Sequence, residues 1–198
     1  MGLGYGAGPV TFARVAKTQA GIDVTPDEAE RIVRTWRDAN RYVTEAWKRV
    51  EVGFRSALAG HACNVLGFGF SRGGERTVVV TLPNGYELYY QGAGVDGREL
   101  YWRPDGVTRE KIYGGCLLWE NLIQATAAQL LRRALVTLEN KCVAVVLHVY
   151  DETVAEADDK KAAKVAKLIA DTMREAPPWT RLSRGNWRPG AGFLQWVS

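Results

Sequence analysis

Two adjacent carboxylates, Asp151 and Glu152, follow directly on an apolar run at residues 143–149, with a further acid at Glu156. An uninterrupted apolar run reads as a strand buried on both faces. A tight turn after it and a second strand at residues 153–156 would leave the acids at the apex of a hairpin. Carboxylates held there present hard oxygen donors, the ligand type a divalent metal ion takes. Acids in a turn between strands also serve solubility and turn geometry alone, and a motif this short does not separate the two readings.

Two other groups of residues have types suited to binding. The glycine-rich opening at residues 2–8 surrounds Tyr5 and lets another backbone or a nucleic acid approach closely, with the tyrosine ring available for stacking. Along residues 113–139, Glu120, Asn121, Gln124 and Gln129 interrupt an otherwise apolar surface. Polar side chains there need partners, either internal backbone groups or a ligand such as a nucleic-acid backbone.

Other chemistries lack their residues. No strand precedes the opening glycines and no Lys-Ser or Lys-Thr pair follows at the spacing of a phosphate loop. Cys63, Cys116 and Cys142 are widely spaced and form no CxxC pair, which indicates neither a disulfide framework nor a zinc site and fits a reducing compartment. His61 and His148 accompany no recognisable nucleophile. No apolar run approaches the ~20 residues that span a bilayer, and no charged segment leads into an apolar signal core, so a cytoplasmic protein without a membrane partner is expected. The 26 basic against 22 acidic side chains permit a polyanionic partner without requiring one.

The elements that must position these residues can be read in order. A short helix at residues 12–20 ends at Gly21. Thr25, Pro26 and Glu28 form a helix start, with a capping hydroxyl, a proline where no amide hydrogen is needed, and the capping-box acid. Apolar residues from Ala29 to Leu58 recur at helical period, giving one long helix or two shorter ones ending by Gly60. Its other face carries Arg31, Arg34, Arg37, Arg41, Lys48, Arg49 and Arg55, a pattern of a solvated face or of a phosphate-tracking one. Residues 77–82 and 86–90 flank Pro83-Asn84-Gly85 as a β-hairpin whose Asn-Gly supplies positive φ angles. Residues 91–97 and 102–106 read as loops. Residues 113–139 make a long, largely buried helix, and residues 160–175 an amphipathic helix stopped by Pro177-Pro178. The tail at residues 179–198 mixes Arg181, Arg184 and Arg188 with Trp179, Trp187, Phe193 and Trp196, suited to docking or to DNA contact. The fold class expected is α+β.

In order and spacing, the glycine-rich residues 2–8, Tyr113-Gly114-Gly115 leading to Glu120-Asn121 and Gln124-Ala125, and His148-Val149-Tyr150-Asp151-Glu152 with Glu156 resemble the C-terminal part of family A DNA polymerases. The likeness is to phage-type members related to DNA polymerase I, and it takes in Leu82-Pro83-Asn84-Gly85 and Pro178-Trp179 as well. Residues 1–112 would be fingers-like, with the β-hairpin near residues 77–90. Residues 113–198 would be palm-like, with the carboxylate hairpin near residues 143–156 packed on the long helix.

The resemblance implies roles. Asp151 would be a metal ligand and, with Glu152 in support, the catalytic pair of a two-metal, Mg2+-dependent nucleotidyl transfer. Tyr5 and Gly6 would lie near the template base, and Asn121, Gln124 and Tyr150 would also meet the nucleic acid. DNA primer-template and dNTPs would be the partners, in the host cytoplasm if the chain is phage-encoded. The family's second metal-binding aspartate and the Arg and Lys that grip the triphosphate lie upstream of the matched region. The chain is therefore expected to act as a fragment or subunit of a split polymerase, inactive alone and completed by a second polypeptide. Within the matched motifs Tyr150 stands where the family usually has His, Cys116 where phage members often have Lys, and Gln129 where Asp is common. These departures favour an alternative, a non-catalytic DNA-binding or assembly protein derived from such a polymerase.

Overall fold

A computed structural model describes residues 2–150 and 152–180. Asp151 and the basic, aromatic tail from Arg181 onward lie outside the described residues. Among the described residues, five α-helices and antiparallel sheets make the fold α+β, as expected. The chain divides into two compact units, Met1–Ile123 and Gln124–Ser198.

In the first unit, a single 3-10 turn at Leu3–Tyr5 leads into α1 (Pro9–Ala20), which ends where Gly21 turns left-handed at φ 69°. Helix α2 (Pro26–Ala39) starts as the sequence predicts. The Thr25 hydroxyl accepts from the Glu28 amide, and the Glu28 carboxylate accepts from the Thr25 amide at 3.0 Å. These bonds, the backbone one first, hold the Glu28 carboxyl below its ordinary pKa. The long apolar repeat resolves into two helices, because Asn40 breaks it: its side-chain amide donates to the Trp36 carbonyl at 2.8 Å and closes α2. Helix α3 (Arg41–Leu58) follows, and Trp36 stacks on Trp47 with centroids 6.1 Å apart.

Helix α3 supplies Val50, Phe54 and Ala57 to a core completed by an antiparallel meander. Its strands β1 (Cys63–Val65), β2 (Phe68–Gly74), β3 (Thr77–Thr81) and β4 (Glu87–Gln91) pair in chain order. Phe70 lies opposite Val80 and Val78 opposite Tyr90, so one face gathers the buried Phe68, Phe70, Val78, Val80 and Tyr90. Phe54 meets the edge of Tyr90 at 5.2 Å. The β3–β4 hairpin is where expected, but Gly85 alone has a positive φ, 85°, and Asn84 does not. Pro83 presets the second position of the turn, the Gly85 amide donates to the Leu82 carbonyl, and Asn84 instead accepts from the Tyr86 amide.

A second sheet corrects the reading of residues 91–97 as a loop, whereas residues 103–106 form a turn, as expected of residues 102–106. Strands β5 (Gly94–Asp96), β6 (Glu99–Trp102) and β7 (Glu110–Ile112) form an antiparallel sheet. Gly97, at φ 57°, is the first of the two residues between the paired Asp96 and Glu99, the place a glycine takes in a tight hairpin turn. The β6–β7 turn is held by Asp105, which accepts from the Val107 and Thr108 amides at 2.8 and 2.6 Å and from the Thr108 hydroxyl. The hydroxyl bond and then the two amides draw its pKa down to about 2.

Helix α4 (Gly114–Asn140) begins in the first unit and continues into the second. It is less buried than expected: Leu118, Leu122, Ala134 and Leu138 are covered, whereas Ile123 and Val136 are exposed. In the second unit the chain turns at Cys142, φ 55°, into β8 (Ala144–Val149), β9 (Glu152–Glu156) and α5 (Asp159–Arg174). The Arg133 guanidinium meets the Glu175 carboxylate at 2.8 Å, and Pro177 is buried after α5.

The expectation that residues 143–149 are buried on both faces is overturned. Val143 is buried, but Val146, Leu147 and Val149 of β8 are 53%, 54% and 45% exposed. Among the described residues the sheet has two strands. Val145 and His148 line a small cavity with Leu135 and Val136 of α4, on the half-covered face that also holds Thr153 and Ala155. Cross-strand register puts Leu147 opposite Val154 and Val149 opposite Glu152 on the other, exposed face. An apolar run gives the strand; a covering layer on both sides is a separate requirement.

Candidate functional site

The carboxylate hairpin forms as the sequence predicts in its strands. Val149 pairs with Glu152, so residues 150 and 151 alone make the connection. Two-residue hairpin connections of the most favoured kinds need a left-handed first residue, and Tyr150 supplies it at φ 51° despite its bulk. Its ring is 91% exposed. Glu152, the first residue of β9, is exposed beside it. Asp151 lies outside the described residues, and among those described no three His, Cys, Asp or Glu side chains gather closely enough to hold a metal. Glu152 offers one hard oxygen ligand at an accessible tip, which suits Mg2+ chemically and is far short of a complete site.

Tyr5 and Gly6 lie in a different place, a groove of about 700 Å3 in the first unit. Tyr5 ends the 3-10 turn with its ring half exposed. Gly6 is there for two reasons. Its φ is 78°, and a Cβ would stand 2.6 Å from the Cys116 sulfur, closer than any side chain permits. The backbone approach that the opening glycines allow is thus made to the side chain of Cys116 on α4. The Cys116 thiol donates to the Tyr113 carbonyl, and burial pushes its pKa up.

The groove is organised by Glu51, a residue sequence reasoning did not single out. Its carboxylate accepts from the Gly115 amide at 3.1 Å, fixing the first turn of α4, and from the Arg55 guanidinium at 3.0 and 2.7 Å. Arg55 in turn donates to the Arg98 carbonyl at 2.7 Å in the β5–β6 turn. Gly115 must be glycine, because a Cβ would lie 1.8 Å from the Trp47 carbonyl oxygen. The sequence signal was the Glu51–Arg55 spacing of four, a helical ion pair.

On the opposite wall stand side chains of β7 and the residue after it. Lys111 pairs with Glu99 and sits 5.7 Å from the centre of the Tyr113 ring, which is 69% exposed. Of the groove's charged side chains, Glu51 and Glu99 are matched by Arg55 and Lys111. Arg14 and Arg98 remain with no acidic partner among the described residues, so the groove carries excess positive charge.

Asn121 is half-buried on α4, and its side-chain amide donates to the Tyr90 hydroxyl at 3.2 Å, an internal partner of the kind its sequence context allowed. Burial raises the Tyr90 pKa, and that hydrogen bond opposes the rise. Gln124 is exposed on the same helix, in the second unit. The structure therefore brings Tyr5 and Gly6 into one groove, puts Tyr150 and Glu152 on one hairpin, and gives Asn121 an internal hydrogen bond.

No family model matches this chain, and no solved structure matches it. A curated protein does: the chain is 28% identical over 167 residues to a DNA polymerase of Bacillus phage SP02. The match takes in 79% of the chain and 25% of that polymerase, so the chain spans about a quarter of the length of its relative. Over most of its length, then, this chain is related to part of a phage DNA polymerase.

Proposed function

We propose that the chain is the C-terminal part of a family A, phage-type DNA polymerase, with fingers-like residues 1–112 and palm-like residues 113–198. The observation that carries this reading is the likeness to the phage polymerase over 79% of the chain. The carboxylate hairpin agrees with it in position and chemistry. Asp151 and Glu152 would hold Mg2+, with Asp151 the principal ligand. When bound, the metal would supply Lewis-acid activation of a primer hydroxyl and charge neutralisation on the leaving pyrophosphate. Glu152 supports that site from an exposed strand end, Tyr150 offers its ring to the nucleic acid, and Tyr5 stacks near the template base.

The remaining ligands come from polypeptide beyond this chain, in the split arrangement a separate subunit. The exposed Leu147, Val149 and Val154 of the hairpin support this, since an apolar sheet face of this kind is covered in a complete enzyme. Primer extension with Mg2+ and dNTPs tests the reading, using the chain alone and mixed with a polypeptide carrying the missing aspartate. Extension in the mixture only, abolished by Asp151→Ala, is expected. Extension by the isolated chain that survives Asp151→Ala overturns it.

A second reading, a non-catalytic DNA-binding or assembly protein, is favoured by Asn121 and Cys116. The resemblance puts Asn121 against nucleic acid and a lysine where Cys116 stands, and here both side chains bond internally. A stable complex on DNA without extension is its signature.

A further inference from the structure

We infer that the β7 wall of the groove is a second single-stranded DNA platform, in which Tyr113 stacks a base while Arg98 contacts an adjoining phosphate. This rests on the polymerase reading and adds residues to which that reading gives no role. Three observations carry it. Tyr113 is 69% exposed on a groove wall, although a tyrosine ring has much apolar surface to cover. Arg14 lines the same groove with no acidic partner among the described residues, so the net charge of the groove favours an anionic strand. Arg98 lines the groove with no acidic partner among the described residues, and its carbonyl accepts from Arg55 at 2.7 Å, which holds its backbone.

The groove's acids do not cancel this field, because each is already paired within the groove. Aromatic faces alternating with cations take successive bases and phosphates without regard to sequence. A duplex conceals its base faces, so the chemistry selects an unpaired strand.

The test is fluorescence anisotropy of the full chain with labelled dT20 and with a 20-base-pair duplex, over a salt series. Tyr113→Ala should weaken dT20 binding about tenfold, Tyr113→Phe should restore it, and duplex binding should change less than twofold. Arg98→Ala should lower the slope of log K against log salt by about 0.7, the value for one phosphate contact on a single strand. Both side chains are exposed, so circular dichroism should report unchanged folding. If Tyr5→Ala weakens dT20 binding while Tyr113→Ala and Arg98→Ala bind like the parent, the inference is wrong and the polymerase reading stands. If the parent binds neither probe, the inference is wrong, and the polymerase reading is judged by primer extension in the mixture.

Discussion

Tyr90 concentrates several residue-level effects in one side chain. Its ring meets Phe54 at 5.2 Å and Trp102 at 5.3 Å, and its hydroxyl is held by Asn121. Burial disfavours the phenolate, so the folded-state pKa lies above the unfolded value of about 10. A raised pKa means that the folded protein holds this proton more tightly. The associated stability is complete below pH ~10 and is lost as pH rises through the folded pKa. Alkaline unfolding followed by circular dichroism should therefore begin near pH 10, and Tyr90→Phe should move its onset upward. The aromatic composition alone could not give this, because the partners lie 31 and 36 residues away from Tyr90 along the chain. A close approach at Gly6 was legible, since glycines surround Tyr5 in the sequence. Their neighbour Cys116 was not, because only the fold brings α4 against the opening turn.

Among the elements, α4 is the one on which the groove depends. Its first turn approaches α3 so closely that the Trp47 carbonyl occupies the space of a Gly115 side chain. Gly115→Ala must push the helices apart and should destabilise the protein by about 3 kcal/mol, the upper part of the range for overpacking. Calorimetry should show the midpoint falling by several degrees, and the Glu51–Gly115 bond should loosen with it. Helix starts and hairpin turns were legible in the sequence wherever side chains act locally. Thr25 and Glu28 cap their own helix, and Pro83-Asn84-Gly85 closes its own turn. Sheet β5–β7 was missed because its strands run three or four residues and are pinned by cross-strand pairs such as Lys111–Glu99. Such pairs follow no short periodicity.

At the scale of the molecule, the fold class and the likeness to a DNA polymerase were legible because they rest on many weakly informative positions read together. The burial of the carboxylate hairpin was not, because hydrophobicity records what a strand can bury and not what lies over it. No helix among the described residues is long and apolar enough to cross a membrane. The left-handed turn at Cys142 has a practical consequence. Cys142 is exposed two residues before β8, whereas Cys63 and Cys116 are half-buried, with the Cys116 thiol held against ionisation. Since thiolates react and thiols do not, a maleimide dye should attach to Cys142 well before the other two, as peptide mass mapping of a timed reaction can check. The native sequence thus carries its own attachment point for a fluorophore at the root of the hairpin, where emission colour can report whether that bare apolar surface becomes covered.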